Sequence, residues 1–263
     1  MGPLRNAYLD ALGIDRWVSR NAPSGGAGEG EPGAGPGYRD NSASQLDNVP
    51  SFPGIPARHH LPSPAPPAPT SEWGVLRERV AGCTACPELC RTRTQTVFGV
   101  GNTRAEWLVI GEAPGAEEDR QGEPFVGRAG QLLNAMLLAI GLPRETVFIA
   151  NILKCRPPAN RDPKPEEVSR CLPYLSNQIA LLKPKIILAV GRIAAQNLLS
   201  TDAPLARLRG KLHSFGEART PLIVTYHPAY LLRTPSDKRK TWEDLKFARA
   251  THARLTLDGQ VRS

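Results

Sequence analysis

Trp107-Leu108-Val109-Ile110-Gly111-Glu112-Ala113-Pro114-Gly115 opens on four large apolar residues and closes in a turn made of two glycines and a proline. A run this short and apolar at every position predicts a strand buried on both faces. Val147–Ala150, Lys185–Val190 and Leu222–Thr225 repeat the pattern. Between them lie stretches of helical periodicity: Ala129–Ile140, stopped by Gly141; Glu166–Leu182; and Ile193–Leu199, entered through Gly191. Strands alternating with helices predict an α/β fold, a three-layer α/β/α sandwich around a central, mostly parallel four-stranded sheet. Ligands of such sheets gather beyond the carboxyl ends of the strands, and Glu112, Asn151 and His227 all fall there.

Upstream the composition changes. Residues 19–71 hold 11 of the 26 prolines and 8 of the 24 glycines, with few large apolar side chains, and read as a disordered linker. Before it, Leu4, Tyr8 and Leu12 recur at helical spacing ahead of Gly13, so residues 1–18 form a short amphipathic segment. That segment suits a partner protein, a groove on its own catalytic domain, or a weakly ordered terminus. The expected organisation is therefore residues 1–18, the linker 19–71, a catalytic domain over 72–255 and a tail over 256–263.

The chain carries +8, and residues 1–71 hold five Arg against six Asp and Glu, so residues 72–263 carry +9. Such a balance favours a polyanion such as DNA or RNA over a solvated basic surface. No run approaches the ~20 apolar residues that cross a bilayer, and Asp10 and Asp15 break any signal-peptide core. No membrane partner and a cytoplasmic location are expected, where thiols stay reduced.

Cys83, Cys86, Cys155 and Cys171 read as a metal cage. The Cys-x-x-Cys pair brings two thiolates to one centre from a single turn, and the second pair closes a proline-rich loop onto it. An all-thiolate set suits an iron–sulfur cluster or zinc. Cys90 makes a fifth thiol, read as a spectator.

The turn Gly111–Gly115 presents backbone N–H groups and the Glu112 carboxylate, but lacks the Lys-Ser/Thr ending of a phosphate-binding Walker loop. Glu117, Glu118 and Asp119 follow as an acidic stretch. Phe125 lies on a loop between Gly122 and Gly127, placed either to stack on a planar ligand or to pack in the core. Asn151 ends a strand with a donor and an acceptor, as reading a pyrimidine edge requires. His227-Pro228-Ala229-Tyr230-Leu231-Leu232-Arg233 places a His at a strand end, fixed by proline and followed by apolar residues and a cation.

The segments CTAC, RTQTVFGVG, GEAPGAEEDRQGEPFVGRAGQLL, NILKCRPPANRDP and YHPAYLLR, in order between Cys83 and Arg249, resemble family 4 uracil-DNA glycosylases, the iron–sulfur type of the uracil-DNA glycosylase superfamily. The resemblance implies a [4Fe-4S] cluster on Cys83, Cys86, Cys155 and Cys171, with uracil-containing DNA as substrate and hydrolysis of its uracil–deoxyribose bond as the reaction. Carried over by motif position, Phe125 stacks on uracil, Asn151 bonds its O4 and N3 edge, and His227 faces O2. Glu118 lines the pocket near C5, and Gly111 and Ala113, within the turn, hold water and sugar. The best-known branch of the superfamily has an Asp where Ala113 stands, which leaves Glu112, then Glu118, as the carboxylate beside the water. Lys154, Arg156, Leu231 and Arg233 are the expected DNA contacts, with Leu231 and Leu232 as wedge candidates, and the chain is expected to act as a monomer. Two other readings compete: a uracil-DNA binding protein without turnover, and a zinc or iron–sulfur nucleic-acid module. The first lacks a basic His-bearing insertion after Asn151, and the second leaves GEAPG and HPAYLLR unexplained.

Overall fold

The computed structural model describes residues 72–261, with side chains through 257. The amphipathic segment and linker expected over residues 1–71 lie outside the described residues.

Helices α1 (Glu72–Ala81) and α2 (Pro87–Thr92) precede the sheet. Strand β1 (Val100–Gly101) is followed by β2 (Trp107–Gly111), α3 (Ala116–Gln121), α4 (Arg128–Ala139) and β3 (Phe148–Asn151). Next come α5 (Pro165–Leu182), β4 (Ile186–Val190), α6 (Arg192–Leu199) and α7 (Leu205–Leu208). The chain closes with β5 (His213–Phe215), β6 (Thr220–Thr225), α8 (Pro228–Arg233) and α9 (Lys238–Val261). The last helix thus continues past residue 255.

Among the described residues the sheet has six strands in the order β1-β3-β2-β4-β6-β5. The four expected strands are its parallel centre, with Gly111 paired to Asn151 and Val190 to Thr225. Two short edge strands, β1 against β3 and β5 against β6, run antiparallel and correct the expected count of four. Edges of two or three residues leave no periodicity to read in a sequence.

Period-2 alternation sorts the central strands between two cores. Leu108, Ile110, Phe148, Ala150, Ile187, Ala189, Leu222 and Val224 face α1, α5 and α6. Trp107, Val109, Ile149, Ile186, Leu188, Val190 and Ile223 face α4 and α9. Burial on both faces explains why these strands are apolar throughout. From β2 the chain first moves outward to β3, then crosses back over β2 to β4, which leaves a crevice at the carboxyl ends of β2 and β4. Glu112 stands on one side of that crevice and Arg192 on the other. Among the described residues no helix is long and apolar enough to cross a membrane.

Candidate active site and cysteine centre

Three side chains meet where β2 and β3 end. A Cβ on Gly111 would lie 2.4 Å from Asn151 Oδ1 and 2.6 Å from Phe125 Cζ, so the missing side chain leaves the space they border. Asn151 is 2% exposed, and its Oδ1 is buried with no hydrogen-bond partner among the described residues. An orphaned buried amide oxygen is disfavoured unless a ligand completes it. Phe125 is held at φ 55°, a left-handed conformation that a bulky residue adopts under tertiary constraint. The constraint is visible in Gly130, where a Cβ would fall 1.8 Å from the Phe125 carbonyl oxygen. Gly111→Ala is therefore expected to lower turnover at this pocket by roughly 10- to 100-fold with the fold intact, since displacing reacting groups by about 1 Å has effects of that size. A circular dichroism spectrum and a single-turnover rate check it; an unchanged rate would remove this space from the site.

His227 closes the opposite wall, its ring centroid 5.6 Å from that of Phe125. The residue caps α8, where Nδ1 accepts the Ala229 N–H at 3.1 Å and Pro228 occupies the first turn. With Nδ1 accepting, the proton of the neutral ring sits on Nε2, which is then a donor. Burial and, secondarily, the Arg233 charge push its pKa down to about 4, against the opposing influence of Glu118, so the ring is neutral at pH 7.

Glu112, half-buried in the crevice, has its pKa raised to about 7, first by burial and then by the Asp162 carboxylate, while Arg192 opposes the rise. Arg192 Nη2 donates to Asp162 Oδ2 at 2.7 Å, tying the proline-rich loop to the start of α6. Glu118 is engaged elsewhere: Oε2 accepts the Gly115 N–H at 3.2 Å, and Oε1 accepts those of Val126 and Gly127 at 3.0 and 3.2 Å. It braces the pocket loop through both oxygens. Asp119, buried, accepts the Thr94 N–H and fixes the neighbouring loop.

All four expected cysteines line one concavity, together with Arg93, Lys154, Arg170 and Tyr174, and Cys90 is not among its lining residues. Two of the sulfurs accept hydrogen bonds. Arg93 Nη1 donates to Cys155 Sγ at 2.8 Å and the Lys154 N–H to Cys171 Sγ at 3.2 Å. Burial raises the pKa of the Cys86 thiol against the opposing influence of Arg170, and the Cys83 sulfur is the main cause of a Tyr174 pKa raised to about 12. Burial pushes the Cys171 thiol up to about 11 despite the Lys154 charge, so a metal binding here displaces protons. Among the described residues no three His, Cys, Asp or Glu side chains converge on a single-ion position. Four thiols around a shared space, two of them accepting hydrogen bonds, fit a cluster in which every thiolate takes a different iron.

The structure corrects two expected DNA contacts. Lys154 is 1% exposed, with Nζ on Asn151 O at 2.9 Å and Gln178 Oε1 at 2.7 Å, and has no path to a phosphate. Leu231 is 1% exposed and packs in the core under α4, whereas Leu232 stands outward at 38%. Arg233 is exposed as expected, and Arg156 is half-buried with Nε on Asn160 Oδ1 at 2.8 Å. Ala113 is half-buried beside the core on the α5 face, next to Glu112. Arg192, Asp162 and the sulfur donor Arg93 escaped the sequence reading, because their partners lie far along the chain.

The uracil DNA glycosylase superfamily profile matches residues 98–246. The chain is 45% identical over 178 residues to the Type-4 uracil-DNA glycosylase of Archaeoglobus fulgidus, covering 65% of this chain and 88% of that protein. It is 42% identical over 193 residues to the Type-4 enzyme of Sulfurisphaera tokodaii, covering 70% and 87%. To the Type-5 uracil-DNA glycosylase of Thermus thermophilus it is 29% identical over 188 residues, covering 57% and 84%. The family profile spans more than half of the chain, the Type-4 identities exceed the Type-5 one, and the pocket stands at the strand ends those matches include: the chain belongs to the uracil-DNA glycosylase superfamily, in its type-4 branch.

Proposed function

We propose that the protein hydrolyses the N-glycosidic bond between uracil and deoxyribose in DNA, releasing uracil and leaving an abasic site. The observation that carries this reading is the space bordered by Gly111, Phe125 and the orphaned Asn151 Oδ1. A base inside the stack cannot reach such a pocket, so the nucleotide is flipped out, at a cost of a few kcal/mol. Asn151 Oδ1 then accepts uracil N3–H while its amide nitrogen donates to O4, and Phe125 packs on the ring. The bond to the sugar breaks with its electron pair moving onto the base, and His227 Nε2–H donates to the O2 that gains negative charge. Water adds its oxygen to the sugar carbon and gives up a proton, which ends on the departing uracil anion, while Glu112 as a carboxylate stabilises the positive sugar. Thymine would drive its methyl group into the loop wall that Glu118 ties together.

Leu232 and Arg233 project from α8, which suits a wedge and a phosphate contact, and the +9 of residues 72–263 supplies the remaining attraction. Cys83, Cys86, Cys155 and Cys171 would hold a [4Fe-4S] cluster. Bound there, it supplies iron–sulfur bonds that cross-link the α1–α2 turn, the exit of β3 and α5.

Incubation with a uracil-containing oligonucleotide tests the reading. Alkali-cleavable abasic product over many turnovers is expected; a stoichiometric adduct would indicate a uracil-DNA binder, and no product a nucleic-acid module. Because Glu112 acts as a carboxylate, the rate is expected to fall as pH drops through about 7, where the raised pKa protonates it. Glu112→Gln should be slow and should lose that acid limb. A pH–rate profile in which both forms share the same limb would reassign it.

A further inference from the structure

Among the described residues Asn151 Oδ1 has no partner, so its aim depends on where its backbone is held. Beyond β3 the Asn151 carbonyl oxygen accepts a hydrogen bond from the Lys154 ammonium at 2.9 Å. The same ammonium donates to Gln178 Oε1 at 2.7 Å, and Gln178 Nε2 in turn donates to Phe98 O at 2.9 Å. Lys154 is itself fixed from the cysteine centre. It precedes Cys155, its backbone N–H donates to Cys171 Sγ at 3.2 Å, and its carbonyl accepts the Val97 N–H at 2.7 Å. One fully buried lysine therefore touches the cysteine centre through its backbone and the base-reading residue through its side chain.

We propose that Lys154 is a positioning residue that transmits the geometry of the cysteine centre to Asn151, so that uracil recognition and the metal centre form one mechanical unit. This inference rests on the proposed function and adds a route by which the centre acts on the reaction. A buried ammonium is retained only where its hydrogen bonds compensate desolvation, and here Asn151 O and Gln178 Oε1 supply them. A neutral side chain would fill the volume more cheaply if volume were its only task.

The test uses iron-loaded full-length protein. Lys154→Met keeps length and apolar bulk, but leaves Asn151 O and Gln178 Oε1 without their donor. The variant is expected to retain the visible iron–sulfur absorbance and to lower kcat on the order of tenfold, with KM for uracil-containing DNA within about twofold of wild type. Removing a cation beside the cluster should also move its reduction potential to a more negative value. A variant of wild-type absorbance whose kcat is within about twofold of wild type, or whose potential is unmoved, would overturn the proposal. If Lys154→Met does not fold, Gln178→Met, which removes one of the two side-chain acceptors of the ammonium, should lower kcat with KM held; an unchanged kcat would overturn it equally. Should the wild-type protein release no uracil, the functional reading fails, and the potential shift still decides whether Lys154 senses the centre.

Discussion

Replacing His227 with Ala is expected to lower the single-turnover rate of uracil excision about 10²- to 10³-fold, the usual loss when one donor to a developing anion is removed. Affinity for uracil-containing DNA should hold, because Leu232, Arg233 and the basic surface are untouched. The argument runs from the backbone outward. Pro228 and the Ala229 N–H fix the ring with Nδ1 as acceptor, so the proton stands on Nε2. Gly191, at φ 100°, leaves room behind it, since a Cβ there would lie 3.0 Å from His227 Cβ. With a pKa of about 4, depressed mainly by burial, the ring keeps one protonation state from pH 5 to pH 8. Any pH dependence in that window must then come from another group, for which Glu112 is the candidate. A variant that excises at the wild-type rate would remove His227 from the reaction, and a large loss of DNA affinity would recast it as a binding residue.

Replacing Cys171 with Ala is the second large effect. Cys171 is buried on α5 and accepts the Lys154 N–H, so its loss removes one corner of the thiol set and a sulfur partner of a buried backbone donor. The expected outcome is loss of visible iron–sulfur absorbance, a lower yield of folded protein, and destabilisation on the order of 2–5 kcal/mol, the scale seen when a native cross-link is removed. Cys90→Ala serves as the control and should match wild type, since Cys90 does not line the centre. A Cys171→Ala protein with full absorbance and unchanged melting temperature would contradict the assignment.

The central sheet was readable because each of its four parallel strands is apolar on both faces, and the glycines at 111, 141 and 191 mark where strands and helices stop. Edge strands β1 and β5 carry no such signal; their backbone pairing alone defines them. In the site, motif order was sufficient to bring Asn151, Phe125 and His227 together. Lys154 was misread for a physical reason: in sequence a lysine two residues from an arginine looks like a phosphate contact, and its buried partners, Asn151 O and Gln178, become neighbours only after α5 packs on the sheet. Leu231 and Leu232 differ by one helical step of about 100°, so the first turn of α8 had to be seen before one could be assigned to the core and the other to solvent.

Gly111 fixes the floor of the pocket by having nothing to remove. Discrimination by size usually drifts when a wall residue is shortened, yet position 111 is already at the smallest side chain in the code. A catalyst for bulkier bases, such as a two-ring purine, cannot be reached by trimming there. It would have to arise by shifting the strand itself or by giving up Phe125, whose unusual backbone angle is locked by the helix behind it.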